Sequence, residues 1–282
     1  MNMSQRFSLP VSKILMYQRS LKQKGAEMEL FAGLDGQSFV LAIAVALLAG
    51  VVKGAVGFAM PMILMSGLAS ILPVEIALAA MILPTVATNL SQALRQGPRA
   101  ALQSIKEHRW LIGPLLICIA VSAQFVTLIP QSVLFAILGG PIILFALSQL
   151  WGWGLQINPN HQRRAEVVTG VVAGFFGGIS GVWGPPILMY LLGIGAEKRQ
   201  AVRVQGVVFV IGAFMLTAAH LQSGILNMRT LPLSAAMVVP AGLGLWLGYQ
   251  IQDRLDAARF RRWTLIFLIL TGANLLRRAF LV

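Results

Sequence analysis

The chain has 282 residues, 57% of them hydrophobic and 11% charged, and a net charge of +13; its mean hydropathy is +0.78. A soluble domain of this length carries more charge, and the lack of period-two alternation excludes a closed barrel, so the composition predicts a helical protein that crosses the bilayer repeatedly. The basic residues sit in short connections between apolar runs, without interleaved aromatics, which marks them as membrane orientation signals and excludes nucleic-acid binding.

Residues 1–37 form an N-terminal tail carrying Arg6, Lys13, Arg19, Lys22 and Lys24 with no uninterrupted apolar core, so it reads as a basic extension and not a cleaved leader; Met28 offers an alternative start. Apolar segments follow at 39–56, 58–72, 76–94, 110–129 and 133–151, then again at 167–182, 185–194, 201–221, 231–251 and 263–280. The second segment of each half is short. At about 1.5 Å per residue, 185–194 reaches roughly 15 Å, half of a bilayer, and reads as a half-helix. Pro61 and Pro185 open these short helices, where a missing N–H costs nothing because first-turn donors are unpaired anyway. Pro84, Pro114, Pro141 and Pro240 read as kinks inside longer helices.

The two halves repeat one phrase. Ala49/Ala173, Gly50/Gly174, Gly54/Gly178, Gly57/Gly181, Pro61/Pro185, Ile63/Ile187, Leu64/Leu188 and Met65/Met189 align at a constant offset. Glycines and a proline recur at the point where a duplicated transporter breaks its helices to expose backbone. Basic loops follow the third and fifth segments of the first half (Arg95, Arg99, Lys106, Arg109; Arg163, Arg164) but the second and fourth of the second half (Lys198, Arg199; Arg254, Arg259, Arg261, Arg262). With basic loops cytoplasmic, the halves run in opposite directions. The expected fold is an all-α polytopic membrane protein built from two inverted repeats of about five helical segments each, 38–155 and 156–282, with discontinuous short helices at the Gly/Pro motifs. The pattern leaves open ten crossings or eight with re-entrant short segments, and also the side on which the N-terminus lies.

All 9 acidic residues fall in tails, loops or segment boundaries. That argues against the common proton-relay and cation-cage designs and leaves glycine backbone, amides, hydroxyls and some positive charge inside. Two facing half-helix N-termini, each with roughly half a unit of positive charge, make an oxyanion clamp. The clamp is expected at Gly54, Gly57 and Pro61 facing Gly178, Gly181 and Pro185, although small residues spaced four apart also serve helix packing. Lys53 lies inside the first apolar segment, where an ammonium needs water, an anion or headgroups; Gly177 at the equivalent position makes any site using Lys53 asymmetric. Asn89 and Gln92, with Thr85 and Thr88, form a polar stripe on the third segment, and Arg203 and Gln205 open its counterpart. Trp183 and Ser180 stand beside the second break.

The single cysteine, Cys118, and the scattered His108, His161 and His220 show no ligand spacing, so neither a metal nor a cofactor is expected. No phosphate-binding glycine loop and no nucleophile–base motif appears, so an enzyme is not expected.

The phrase Gly50-x3-Gly54-x2-Gly57-x3-Pro61, with Gly174-x3-Gly178-x2-Gly181-x3-Pro185, resembles the TauE/SafE family of sulfite and organosulfonate permeases over most of 39–282. Phe58, Ala59 and Met60 stand where that family usually carries more glycine. The resemblance implies a multi-pass carrier of the bacterial inner (cytoplasmic) membrane. Its partners would be a small anionic substrate, sulfite or a sulfonate foremost, and the lipid bilayer, with a homo-oligomer left open. The residues alone support "small anion", so a short-carboxylate carrier and a non-transporting membrane assembly subunit are the alternatives.

Overall fold

The computed structural model describes residues 34–122, 130–153, 156–180 and 183–280. The helices are α1 Gly36–Val56, α2 Met60–Leu68, α3 Val74–Leu94, α4 Pro98–Glu107, α5 Arg109–Ser122, α6 Gln131–Leu150, α7 Gln162–Ser180, α8 Gly184–Gly193, α9 Lys198–Gln222, α10 Leu231–Arg254 and α11 Ala257–Phe280, with a 3-10 turn at Pro159–His161. Among the described residues there is no strand, and α1, α3, α9, α10 and α11 are long and apolar enough to cross a membrane. Leu41 and Leu48 on α1, Leu144 on α6, Trp246 on α10 and Leu270 on α11 are exposed, an apolar girdle suited to hydrocarbon rather than water.

The expected segments recur as helices, and the short second segment of each half doubles back on the first. Asp35 starts α1 by accepting the Gln37 and Ser38 N–H groups at 3.1 and 3.4 Å. Hydrogen bonding from Ser38 holds this exposed carboxyl below its ordinary value. The helix stops at Gly57, whose left-handed backbone (φ 91°) turns its N–H to the Lys53 carbonyl at 2.7 Å. The chain then reverses, so that Gly67 on α2 lies against Val45 on α1. In the second half Gly177 on α7 lies against Trp183 just ahead of α8, and the Ile157 N–H before α7 bonds the Gly193 carbonyl at the end of α8 at 2.8 Å.

The halves pack by exchange. Within α1, Gly50 presses on the Ala241 carbonyl of α10 and Gly54 on Leu245 and Gly248, while Gly170 and Gly174 of α7 press on Leu111 and Leu115 of α5. Thus the first apolar segment of each half meets the fourth apolar segment of the other. The third helices, α3 and α9, meet each other, as do α6 and α11. At the first of these contacts a Cβ on Gly206 would sit 2.6 Å from the Ala93 nitrogen, so only glycine permits the approach.

Pro84 interrupts the α3 ladder, and α10 repairs it. Ser234, fully buried, accepts the Leu83 N–H at 3.1 Å and donates to the Ala79 carbonyl at 2.7 Å, so its hydroxyl is inserted into the opened turn.

Arg95, Lys198 and Arg203 gather at one end of the molecule, whereas Arg278, at the far end of α11, lies over the Phe135 ring at the start of α6. Arg95 pairs with Asp253 at 2.7 Å, Lys198 reaches the Gln252 and Leu255 carbonyls at 2.8 Å each, and Arg203 reaches Ser104 at 2.7 Å. The stretch between α3 and α5, expected as a basic loop, instead contains α4, which buries Ala101 and Ser104 and exposes Leu102 and Ile105. Its low hydropathy hid it, because an interfacial helix is signalled by period and not by mean apolarity. The tail and segment ends at 1–33, 123–129 and 181–182 lie outside the described residues.

Candidate functional site

The two helix breaks meet at one cavity of about 40 Å³, space for a few waters and on the scale of one small oxyanion. From the first half come Lys53, Phe58, Ala59 and Pro61; from the second, Trp183, Gly184 and Pro185; α3 adds Thr85 and Asn89, and α9 adds Phe209. The short helices α2 and α8 both begin there with proline in the first turn and without a side-chain cap. Their N-terminal dipole ends therefore point positive charge at the same space.

Lys53 is 1% exposed. Its Nζ donates to Thr88 Oγ1 at 3.0 Å and to Asn89 Oδ1. Among the described residues no carboxylate pairs with it. An ammonium placed inside a membrane protein costs about 3 kcal/mol or more unless something offsets it, and neutral oxygens offset only part of that. The acceptors are themselves fixed in place. Thr88 bonds back one turn to the Pro84 carbonyl at 2.6 Å, and Asn89 Nδ2 crosses to the Phe209 carbonyl at 3.1 Å.

Beyond Asn89, one turn along α3, Gln92 is fully buried and bridges the halves. Its Nε2 donates to the Gly57 carbonyl at 3.0 Å and to the Val202 carbonyl at 2.8 Å, while Oε1 has no partner. Gln205 lies beside Gly57, also fully buried, with neither amide atom partnered. On the far side of this pair of amides opens a wider vestibule of about 260 Å³ at the basic end, bounded by Gln92, Val202, Arg95, Arg199 and Asp253.

Of the residues singled out from sequence, Lys53, Pro61, Thr85, Asn89, Trp183 and Pro185 line the cavity; Gln92 does not, but bonds the Gly57 carbonyl next to the lining residue Phe58, and Gln205 lies beside Gly57. Gly54 faces the α10 backbone. Gly178 is a half-buried residue of α7 near the second break, and Gly181 lies outside the described residues. Arg203 is half-buried beside the vestibule, tied to Ser104 and Gln96. Sequence reasoning missed Phe209 and the Arg95–Asp253 rim. Phe209 takes part chiefly through its backbone carbonyl, which no residue type announces. The rim pairs residues far apart in the chain.

A helical bundle with two proline-started half-helices meeting at a mostly apolar cavity that holds Lys53, Thr85 and Asn89 defines the class: a multi-pass membrane protein of transporter type. The family model for the sulfite exporter TauE/SafE matches residues 42–275, and the chain belongs to that family. No curated protein and no solved structure matched the chain.

Proposed function

We propose that the chain is an inner-membrane secondary carrier of small anions, with sulfite or a small sulfonate as substrate. The observation that carries this reading is Lys53, a lysine buried without an acidic partner among the described residues, beside two uncapped helix N-termini. An oxyanion in the cavity takes up the charge that Thr88 and Asn89 leave unbalanced, and accepts backbone N–H bonds from α2 and α8. A monoanion or dianion of a few heavy atoms suits the volume; larger organic anions require the cavity to open.

The reading includes an inverted arrangement of the halves. It is supported by the exchanged packing, in which α1 meets α10 as α7 meets α5, and by the meeting of Arg95, Lys198 and Arg203 at one end. In this account the Gln92 bridge between Gly57 and Val202 is the closed gate between vestibule and cavity. The unpartnered Gln205 amide and Gln92 Oε1 are the groups an anion meets as the gate opens. Alternating access then moves one half's hairpin against α3 and α9.

Uptake of radiolabelled sulfite into proteoliposomes tests the assignment. Saturable uptake is expected, inhibited by unlabelled methanesulfonate more strongly than by acetate. Uptake equal to that of empty vesicles refutes the carrier, and stronger inhibition by acetate reassigns it to short carboxylates.

A further inference from the structure

A second buried polar cluster lies away from the anion cavity, where the start of α7, the junction of α4 with α5, and α8 come together. His108 Nδ1 lies 3.0 Å from Glu166 Oε1, and the Tyr190 hydroxyl donates to the same oxygen at 2.9 Å. Gln162, half-buried, donates to the Tyr190 oxygen at 3.3 Å. His108, Glu166 and Tyr190 are 2%, 3% and 2% exposed. With Glu166 ionised, its oxygen only accepts, so the His108 Nδ1 nitrogen carries the hydrogen of their bond, and in the neutral ring Nε2 then holds a lone pair. That Nε2 is buried and has no partner.

We infer that His108 and Glu166 form a proton-binding site that couples proton movement to anion transport. This rests on the carrier reading. Glu166 was expected at a segment boundary, where a carboxylate is ordinarily solvated; here it is buried against the His108 imidazole and stays bonded to it whichever charge the ring carries. One proton taken up at Nε2 converts an imidazole–carboxylate pair of net charge minus one into an imidazolium–carboxylate pair of net charge zero, and its release reverses the change. The chain Gln162, Tyr190, Glu166, His108 runs from the half-buried surface to the buried ring.

Arg203 of α9 brings a half-buried charge, bonded to Ser104, whose backbone carbonyl accepts the His108 N–H. Arg99, Lys106 and Glu107 on α4, Arg109 on α5, Arg163 and Arg164 on α7, and His161 on the 3-10 turn are exposed. The described part of α6 carries no ionisable side chain, and α8 offers only Tyr190. Arg163 is turned outward over Trp110, 3.8 Å from the ring centre.

The link to transport is α8. Tyr190 holds Glu166 from the helix whose first turn, Gly184 and Pro185, lines the anion cavity. A change in charge on Glu166 and His108 alters the pull on Tyr190 and so biases the position of α8. By linkage, an anion bound at the start of α8 biases proton affinity at the cluster.

Two measurements on the full chain in proteoliposomes separate coupling from transport itself: equilibrium exchange of labelled sulfite at equal pH on both sides, and net accumulation under a pH gradient. Sulfite's own protonation is common to all variants, so differences between them read the protein's proton. Glu166→Gln and His108→Gln are expected to retain exchange while gradient-driven accumulation falls by about fivefold or more. Tyr190→Phe, which keeps the ring and loses the donor, is expected to shift the pH midpoint of net uptake. Accumulation by Glu166→Gln equal to that of the wild type overturns the inference. Loss of exchange in all three variants despite normal insertion also overturns it, because the cluster is then structural. Absence of exchange by the wild-type chain is the separate failure of the carrier reading, and the coupling falls with it.

Discussion

Ala59 shows how one residue departs from a pattern and what that does. It lies between α1 and α2 with φ 73°, the one non-glycine residue in the left-handed region among those described. A Cβ there costs on the order of 1 kcal/mol, and the TauE/SafE phrase usually carries extra glycine near this point. Ala59→Gly is therefore expected to raise stability by up to about 1 kcal/mol with insertion unchanged, read as a higher melting temperature in detergent. A lower melting temperature contradicts the strain. Lys53 is the opposite case, a costly residue with no counterpart in the other half, where Gly177 packs on Trp183. Its position within an apolar run was plain in the sequence. Its partners Thr88 and Asn89 lie on a different helix and emerge only when α3 crosses α1.

At the scale of elements, the breaks were legible because proline and glycine act locally: each limits what the backbone does within a turn of itself. Pro61 and Pro185 accordingly stand in the first turns of α2 and α8. What a break or kink requires from elsewhere was not legible. The open turn at Pro84 is closed by Ser234, a residue with no local signature, arriving from α10. Ser234→Ala leaves the Leu83 N–H and the Ala79 carbonyl to find new partners and is expected to cost about 1–2 kcal/mol. The change appears as a lower melting temperature, and an unchanged one shows that the α3 turn closes without the hydroxyl. The glycines divide by the same logic. Gly50 and Gly54 serve the contact with α10, whereas Gly57 turns the chain and offers its carbonyl to Gln92. Spacing alone does not separate these two uses, since both require a missing side chain.

For the whole molecule, composition predicted a membrane protein and the lack of period-two alternation a helical one, because only helices and closed barrels satisfy their backbone in lipid. The exchange of helices between halves was beyond the sequence, since it depends on which glycine face meets which carbonyl row. The same holds for His108 and Glu166, whose burial is decided by three elements meeting at one end. The assembled molecule holds an arginine-bounded vestibule that Gln92 lines and a separate cavity that Lys53 lines, and the proposed carrier function depends on that lysine. Its most direct test is saturable sulfite exchange in proteoliposomes by the wild-type chain and by Lys53→Met, which keeps the stem's length and removes the charge. The account predicts that Lys53→Met inserts normally and exchanges sulfite at least about tenfold more slowly, because an anion partner of the ammonium is lost. Wild-type rates and apparent affinity in Lys53→Met would contradict it.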